Sequence, residues 1–193
     1  MMTTKNLIFA LGLTFVLLSS SKKDIATIHS FSEKEIMLYD SMNIYREENG
    51  LHKIALSLKL SKVAQIHCED LEKNYKLSNV CNLHSWSATS TKWESCCYTS
   101  NHAKAKCMWN KPKELTNYQS AGYEIAYYNS NGFSTFRPLD RWKISKKGHN
   151  KVILNEGQWK KAKWEAIGVG LTEHYACVWF GTLTDTTVVQ ITR

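Results

Sequence analysis

Ala166-Ile167-Gly168-Val169-Gly170-Leu171, then Thr172-Glu173-His174, then Tyr175-Ala176-Cys177-Val178-Trp179-Phe180-Gly181, is the stretch whose reading decides the fold. In the first run Ile167, Val169 and Leu171 alternate with Gly168 and Gly170, which is the period of a strand. The second run reads as another strand, and the tight connection between the two predicts antiparallel pairing. Thr186–Ile191 follows as a further strand, and Gly122-Tyr123-Glu124-Ile125-Ala126-Tyr127-Tyr128 reads as one upstream.

Working outward, Ser32-Glu33-Lys34-Glu35 is a capping-box pattern that opens a helix, which should run to about Glu48 and stop at Gly50. Leu60, Val63, Ala64, His67, Cys68 and Leu71 share one face of a second helix. Pro138 to about Lys146 reads as a short helix with Pro in its first turn. Between them, residues 76–118 show no sustained period. They hold most of the cysteines, Trp86, Trp93 and Trp109, and many Ser, Thr and Asn, and they predict a long loop ordered by disulfides and tryptophans. Helices, loop, strand, helix and meander in that order make an α+β chain with helices packed on an antiparallel sheet.

The 193 residues fit one domain. Average apolar and charged content excludes disordered, collagen-like and coiled-coil readings. At the N-terminus Lys5 precedes the apolar run Leu7–Leu18, which ends in Ser19-Ser20-Ser21. This is the layout of a signal peptide over residues 1–21, followed by a domain at 32–193. The run is too short for a transmembrane span, which needs about 20 residues. A secreted or extracytoplasmic location is therefore expected. In an oxidising compartment Cys68, Cys81, Cys96, Cys97, Cys107 and Cys177 are disulfide candidates. Six cysteines allow 15 pairings. Adjacent Cys96 and Cys97 should have different partners. Cys68 and Cys177 either pair or stay as buried thiols.

Asn43-Ile44-Tyr45-Arg46, Leu83-His84-Ser85, Gly122-Tyr123-Glu124-Ile125, Asp140-Arg141-Trp142 and Gly148-His149-Asn150 stand in an order that resembles the CAP superfamily (cysteine-rich secretory, antigen 5 and pathogenesis-related 1 proteins; the SCP domain), in its bacterial-type branch. Asn43-Ile44-Tyr45-Arg46 is similar to its N-x-x-R helix, Leu83-His84-Ser85 to its H-S motif, and Gly122-Tyr123-Glu124-Ile125 to its G-E-N-[IL] strand. Asp140-Arg141-Trp142, Gly148-His149-Asn150 and Ile153-Leu154 resemble the bacterial W-x-x-S-x-x-H-x-x-x-[IL]-L pattern. Ala166–Gly170 and Val178–Gly181 resemble the closing strands. The resemblance implies a three-layer α/β/α sandwich with a central antiparallel sheet. It also implies a ligand-binding cleft at His84, Glu124, His149 and Asn43. The family's second cleft glutamate falls here on Ser145, Glu124 matches with a one-residue slip, and Met42 replaces the histidine before Asn43.

His84, Glu124 and His149 are the candidate metal ligands, for a divalent ion such as zinc, since two imidazoles and a carboxylate leave the open position of a catalytic site. The alternative is a hydrogen-bonded polar cleft without metal. Ser85 beside His84 lacks a G-x-S-x-G elbow, so it reads as a loop serine rather than a nucleophile. Cys96, Cys97, His102 and Cys107 lack zinc-knuckle spacing, and disulfides are the stronger reading. His67 reads as a satisfied, partly buried histidine. Trp142, Trp159, Trp164 and Trp179 read as core. Trp86, Trp93 and Trp109, with Tyr98, form a small satellite core or else line a groove for sugar or lipid. The resemblance implies a non-enzymatic secreted binding module for a lipid, glycan or protein. A secreted metal-dependent hydrolase or peptidase using the same cleft is the alternative.

The net charge is +8, from 25 Lys and Arg against 17 Asp and Glu. Residues 141–163 carry eight basic side chains and one acid, Glu156, a net of +7. The charge is thus a located face that includes His149, and it would draw an anionic lipid, glycan or protein by attraction that salt weakens. It could equally be a solvated face that keeps an exported chain soluble. Nucleic acid is not expected as a partner of an exported chain.

Overall fold

The computed structural model describes residues 31–76, 78–132 and 138–187. The signal peptide expected at 1–21 lies outside these residues, and so does the strand expected at Thr186–Ile191, apart from Thr186 and Thr187, which are not in a strand.

Helix α1, Glu33–Glu48, starts as its capping box dictates. The Ser32 hydroxyl accepts from the Glu35 amide at 3.3 Å, and the Glu35 carboxylate accepts from the Ser32 amide at 2.8 Å. It ends at Asn49 and Gly50, whose φ of +74° is left-handed. Helix α2, Leu58–Asn74, is capped by Ser57, whose hydroxyl accepts from the Leu60 amide at 3.1 Å. The Asp185 carboxylate adds to that cap, accepting from the Ser57 hydroxyl at 2.7 Å and the Lys59 amide at 3.0 Å. The whole stripe from Leu60 to Leu71 is buried.

Strands β1 (Ala55–Leu56), β2 (Gly122–Tyr128), β3 (Ala166–Leu171) and β4 (Tyr175–Gly181) form one sheet in the order β1-β3-β4-β2. The β3–β4 and β2–β4 pairs are antiparallel, as expected. The short β1 runs parallel to β3 and escapes the periodicity argument because two residues have no period. The alternation in β3 now has its reason. A Cβ on Gly168 would lie 2.2 Å from the Leu60 backbone, and one on Gly170 would lie 2.3 Å from the Gln65 amide. The glycines let α2 lie directly on the sheet, while Ile167 and Val169 fill the opposite face.

Two cores result, and they make the three layers. On one face α1, α5 (Pro138–Lys143) and α6 (His149–Ile153) bury Leu38, Met42, Trp142 and Ile153 against Ile125, Ile167, Val178 and Phe180. On the other, α2 and the cysteine-rich loop bury Val63, Ala64, Trp86 and Met108 against Ala126, Cys177 and Trp179. The helix expected from Pro138 to about Lys146 ends at Lys143, and α6, which was not expected, begins after Gly148, whose φ is +88°. Trp142 and Trp164 are fully buried and hold their indole N–H groups on the carbonyls of Ala126 and Val152.

The loop carries two short helices, α3 (Ala105–Trp109) and α4 (Lys111–Leu115). It is tied by disulfides Cys81–Cys97 and Cys96–Cys107, so the adjacent cysteines do have different partners. Cys68 and Cys177 are buried free thiols. Trp86 is buried and Trp93 packs edge-on against it, within the second core rather than in a separate small one.

Candidate functional site

Sheet order places β2 at the edge, and register sets Glu124 opposite Trp179, on the face that α2 covers. The Glu124 side chain is fully buried, and histidines take both of its oxygens. His67 of α2 donates from Nδ1 to Oε1 at 2.6 Å, and His84 of the loop donates from Nδ1 to Oε2 at 2.8 Å. His67 also donates from Nε2 to the Ser85 carbonyl at 3.0 Å. Its ring stacks on Trp86 with centroids 4.2 Å apart and planes within 5°.

The loop is shaped to deliver His84. Asn82 accepts from the His84 amide at 3.0 Å, and the Ser85 hydroxyl accepts from the Tyr98 amide at 2.9 Å. That bond commits Ser85 to the loop, in line with its reading as a turn residue. The His84 ring meets Tyr98 edge-on at 5.2 Å. Its side chain stays 18% exposed, the solvent-facing part of an otherwise closed cluster.

Burial alone would raise the Glu124 carboxyl, but the charge and hydrogen bond of His67, with the hydrogen bond of His84, outweigh it and hold it at about 2. Burial likewise opposes charge on His67, and the Glu124 carboxylate overcomes it, so this imidazole titrates above its ordinary range. His149 opens α6. Burial, then the nearby charges of His84 and Lys147, lower it to about 4, so at neutral pH it is an uncharged imidazole. His84, Glu124 and His149 therefore act on one another.

Asn43 is not brought to this cluster. Its amide donates to the Ile54 carbonyl at 3.1 Å and accepts from the Ile54 amide at 2.9 Å, a clamp between α1 and the approach to β1. Arg46, from the same motif, is fully buried and donates to the carbonyls of His52 and Ile153 and to Asn155. Ser145 accepts from the Lys147 amide in a local turn and supplies no carboxylate. His67 is the partner that sequence reasoning read only as satisfied. The helical stripe placed it facing the sheet, but its bond to Glu124 spans 57 residues.

The described residues superpose on a solved extracellular protein of Bacillus anthracis that contains an SCP domain. The TM-score is 0.50 and the identity 22%, over 76% of this chain and 39% of that one. The chain has a CAP/SCP-like fold. An outer surface protein of Borrelia burgdorferi aligns with a TM-score of 0.49 at 15% identity, over 80% of this chain and 97% of that one. A cysteine-rich secretory protein of Staphylococcus aureus aligns with a TM-score of 0.48 at 14% identity, over 78% and 38%. This SCP-like chain spans about two fifths of the Bacillus protein's length. No family model matches its sequence, and no curated protein does.

The donor set of the SCP-like cleft can be tested against a resident zinc. His84 spends Nδ1 on Glu124, so its remaining nitrogen, Nε2, points away from that carboxylate. Among the described residues the one group of three His, Cys, Asp or Glu side chains whose ligand atoms converge for an ion contains Glu124 but neither His84 nor His149, and Ser145 offers no carboxylate. The residues present do not fit that metal, and no chemical step is assigned to it.

Proposed function

We propose that the chain is an exported, non-enzymatic binding module whose α5–α6 face docks on an anionic lipid surface. The observation that carries this reading is Ile144. It is 72% exposed, directly after α5, and flanked by Arg141, Lys146, Lys147 and Lys151, all exposed. An exposed branched apolar side chain ringed by cations combines shallow burial in the acyl boundary with attraction to acidic headgroups. A soluble acidic glycan would use the cations but gain nothing from Ile144. Lys143 lies over the Tyr45 ring at 4.1 Å, and Tyr45 donates to Asn150 at 3.0 Å, so the face is braced on α1. His149 opens α6 at this face.

Export rests on the N-terminal pattern and on the two disulfides of the loop. The test is flotation with phosphatidylglycerol vesicles. Lys146→Glu/Lys147→Glu should weaken binding at least tenfold, and Ile144→Ser should weaken it on vesicles without changing retention on an acidic polysaccharide. Loss with the lysine pair but none with Ile144→Ser would point to a glycan ligand, and no loss on vesicles in either variant would sink the proposal.

A further inference from the structure

Beneath the cleft lies a second cluster that lipid docking does not use. His67 Nδ1 stands 2.6 Å from Glu124 Oε1 and 3.8 Å from Cys177 Sγ, and the three donor atoms lie within 4.8 Å of one another. All three residues are buried, and they come from α2, β2 and β4. Cys68, next to His67, hydrogen-bonds with Cys177 and donates its thiol to the Gly170 carbonyl at 3.2 Å, so a second sulfur borders the group.

We propose that His67, Glu124 and Cys177 form an internal site for one thiophilic divalent transition-metal ion of zinc-like preference, separate from the His84–His149 cleft. The donor types are the first argument: imidazole, thiolate and carboxylate are the ligands zinc takes. Spacing is the second. Bonds of about 2.1 Å to nitrogen and 2.3 Å to sulfur at a tetrahedral angle put those atoms roughly 3.6 Å apart. The observed 3.8 Å between His67 and Cys177 is close to that. The hydrogen bond from His67 to Glu124 must open by under about 1 Å for an ion to replace its proton.

Orientation is the third argument. The Ser85 carbonyl accepts from His67 Nε2, which leaves Nδ1 to face the donors. A metal-bound histidine is normally held through its other nitrogen in this way. The nitrogen that faces Glu124 is the same one that faces Cys177 Sγ. His84 fixes the second carboxylate oxygen, and Trp86 fixes the imidazole plane. Binding releases the His67–Glu124 proton and the Cys177 thiol proton to solvent. The resulting carboxylate and thiolate balance the two charges of the ion, so no net charge is buried. Because the site is closed, loading accompanies folding.

The test uses Co²⁺ as a spectroscopic probe. The full chain is unfolded in guanidinium without reductant, so that both disulfides persist, and refolded with Co²⁺ or, as a second route, expressed in Co²⁺-supplemented medium. The expected result is one Co²⁺ per chain retained through gel filtration, with a thiolate-to-cobalt charge-transfer band. That band should vanish in Cys177→Ala, or in Cys177→Ser where Ala does not fold, and persist in His149→Ala. A natively folded wild type without the band, or a band that survives removal of Cys177, overturns the proposal.

Discussion

The carboxylate of Glu124 and the imidazole of His67 meet at 2.6 Å with both side chains fully buried. A buried charge pair costs desolvation to assemble, and removing one partner leaves the other uncompensated, at about 3–5 kcal/mol. Glu124→Gln should therefore destabilise the chain by roughly 3 kcal/mol, because the amide cannot offset a charged His67. Urea unfolding checks this. A loss below about 1 kcal/mol would mean that the pair is neutral in the folded protein.

The glycines of β3 give a second prediction. A Cβ on Gly170 would sit 2.3 Å from the Gln65 amide and 2.4 Å from the Ala64 carbonyl carbon, both in the α2 backbone. Backbone cannot rotate away as a side chain can. Gly170→Ala should cost about 3 kcal/mol or more, at the top of the overpacking range. Gly148 has open space around it, so its replacement by Ala should cost only the strain of its left-handed φ, about 1–2 kcal/mol. Parallel thermal melts of the two variants rank them.

How far these features were legible in the sequence depends on their range. Ser32 and Glu35 lie three residues apart and Gly50 closes the same helix, so α1 could be read whole. The α2 stripe and the β3 alternation were legible because each repeats. Helices α3 and α4, at five residues each, are too short to show a period, and β1 exists because the Ser57 amide donates to the Ile167 carbonyl at 2.7 Å, a contact across 110 residues. The site was legible by parts. Motif order pointed to His84, Glu124 and His149, whereas the role of His67 and the commitment of Asn43 to Ile54 are tertiary facts.

Acid should weaken the cap on α2. Burial would raise the Asp185 carboxyl, but the bonds from the Lys59 amide and the Ser57 hydroxyl overcome this and hold it at about 2. A carboxyl depressed on folding stabilises the protein above its unfolded value, here about 3.8, and that contribution is lost as pH falls toward about 2. Asp185→Asn should be less stable than wild type at pH 6, and the gap should close near pH 2. Stability measured against pH for both proteins shows whether it does.

The disulfide between Cys96 and Cys107 closes a short loop, and removing it should cost about 2–3 kcal/mol. Because Cys96 is buried beside Trp86 and the two residues form a backbone bridge, Cys96→Ala/Cys107→Ala should also loosen the Ser85 carbonyl and with it His67. Faster amide exchange at Trp86 and Cys96 in that variant is the expected readout, with α1 unchanged.

Docking of the α5–α6 face on anionic lipid is tested most directly by a salt titration of wild-type binding to phosphatidylglycerol vesicles, with phosphatidylcholine vesicles alongside. The Debye length falls from about 10 Å at 0.1 M to about 3 Å at 1 M. Binding to the acidic vesicles should weaken steeply over that range, with little binding to the neutral ones at any salt. Equal binding to both lipids, or binding to the acidic vesicles that does not respond to salt, would contradict the account.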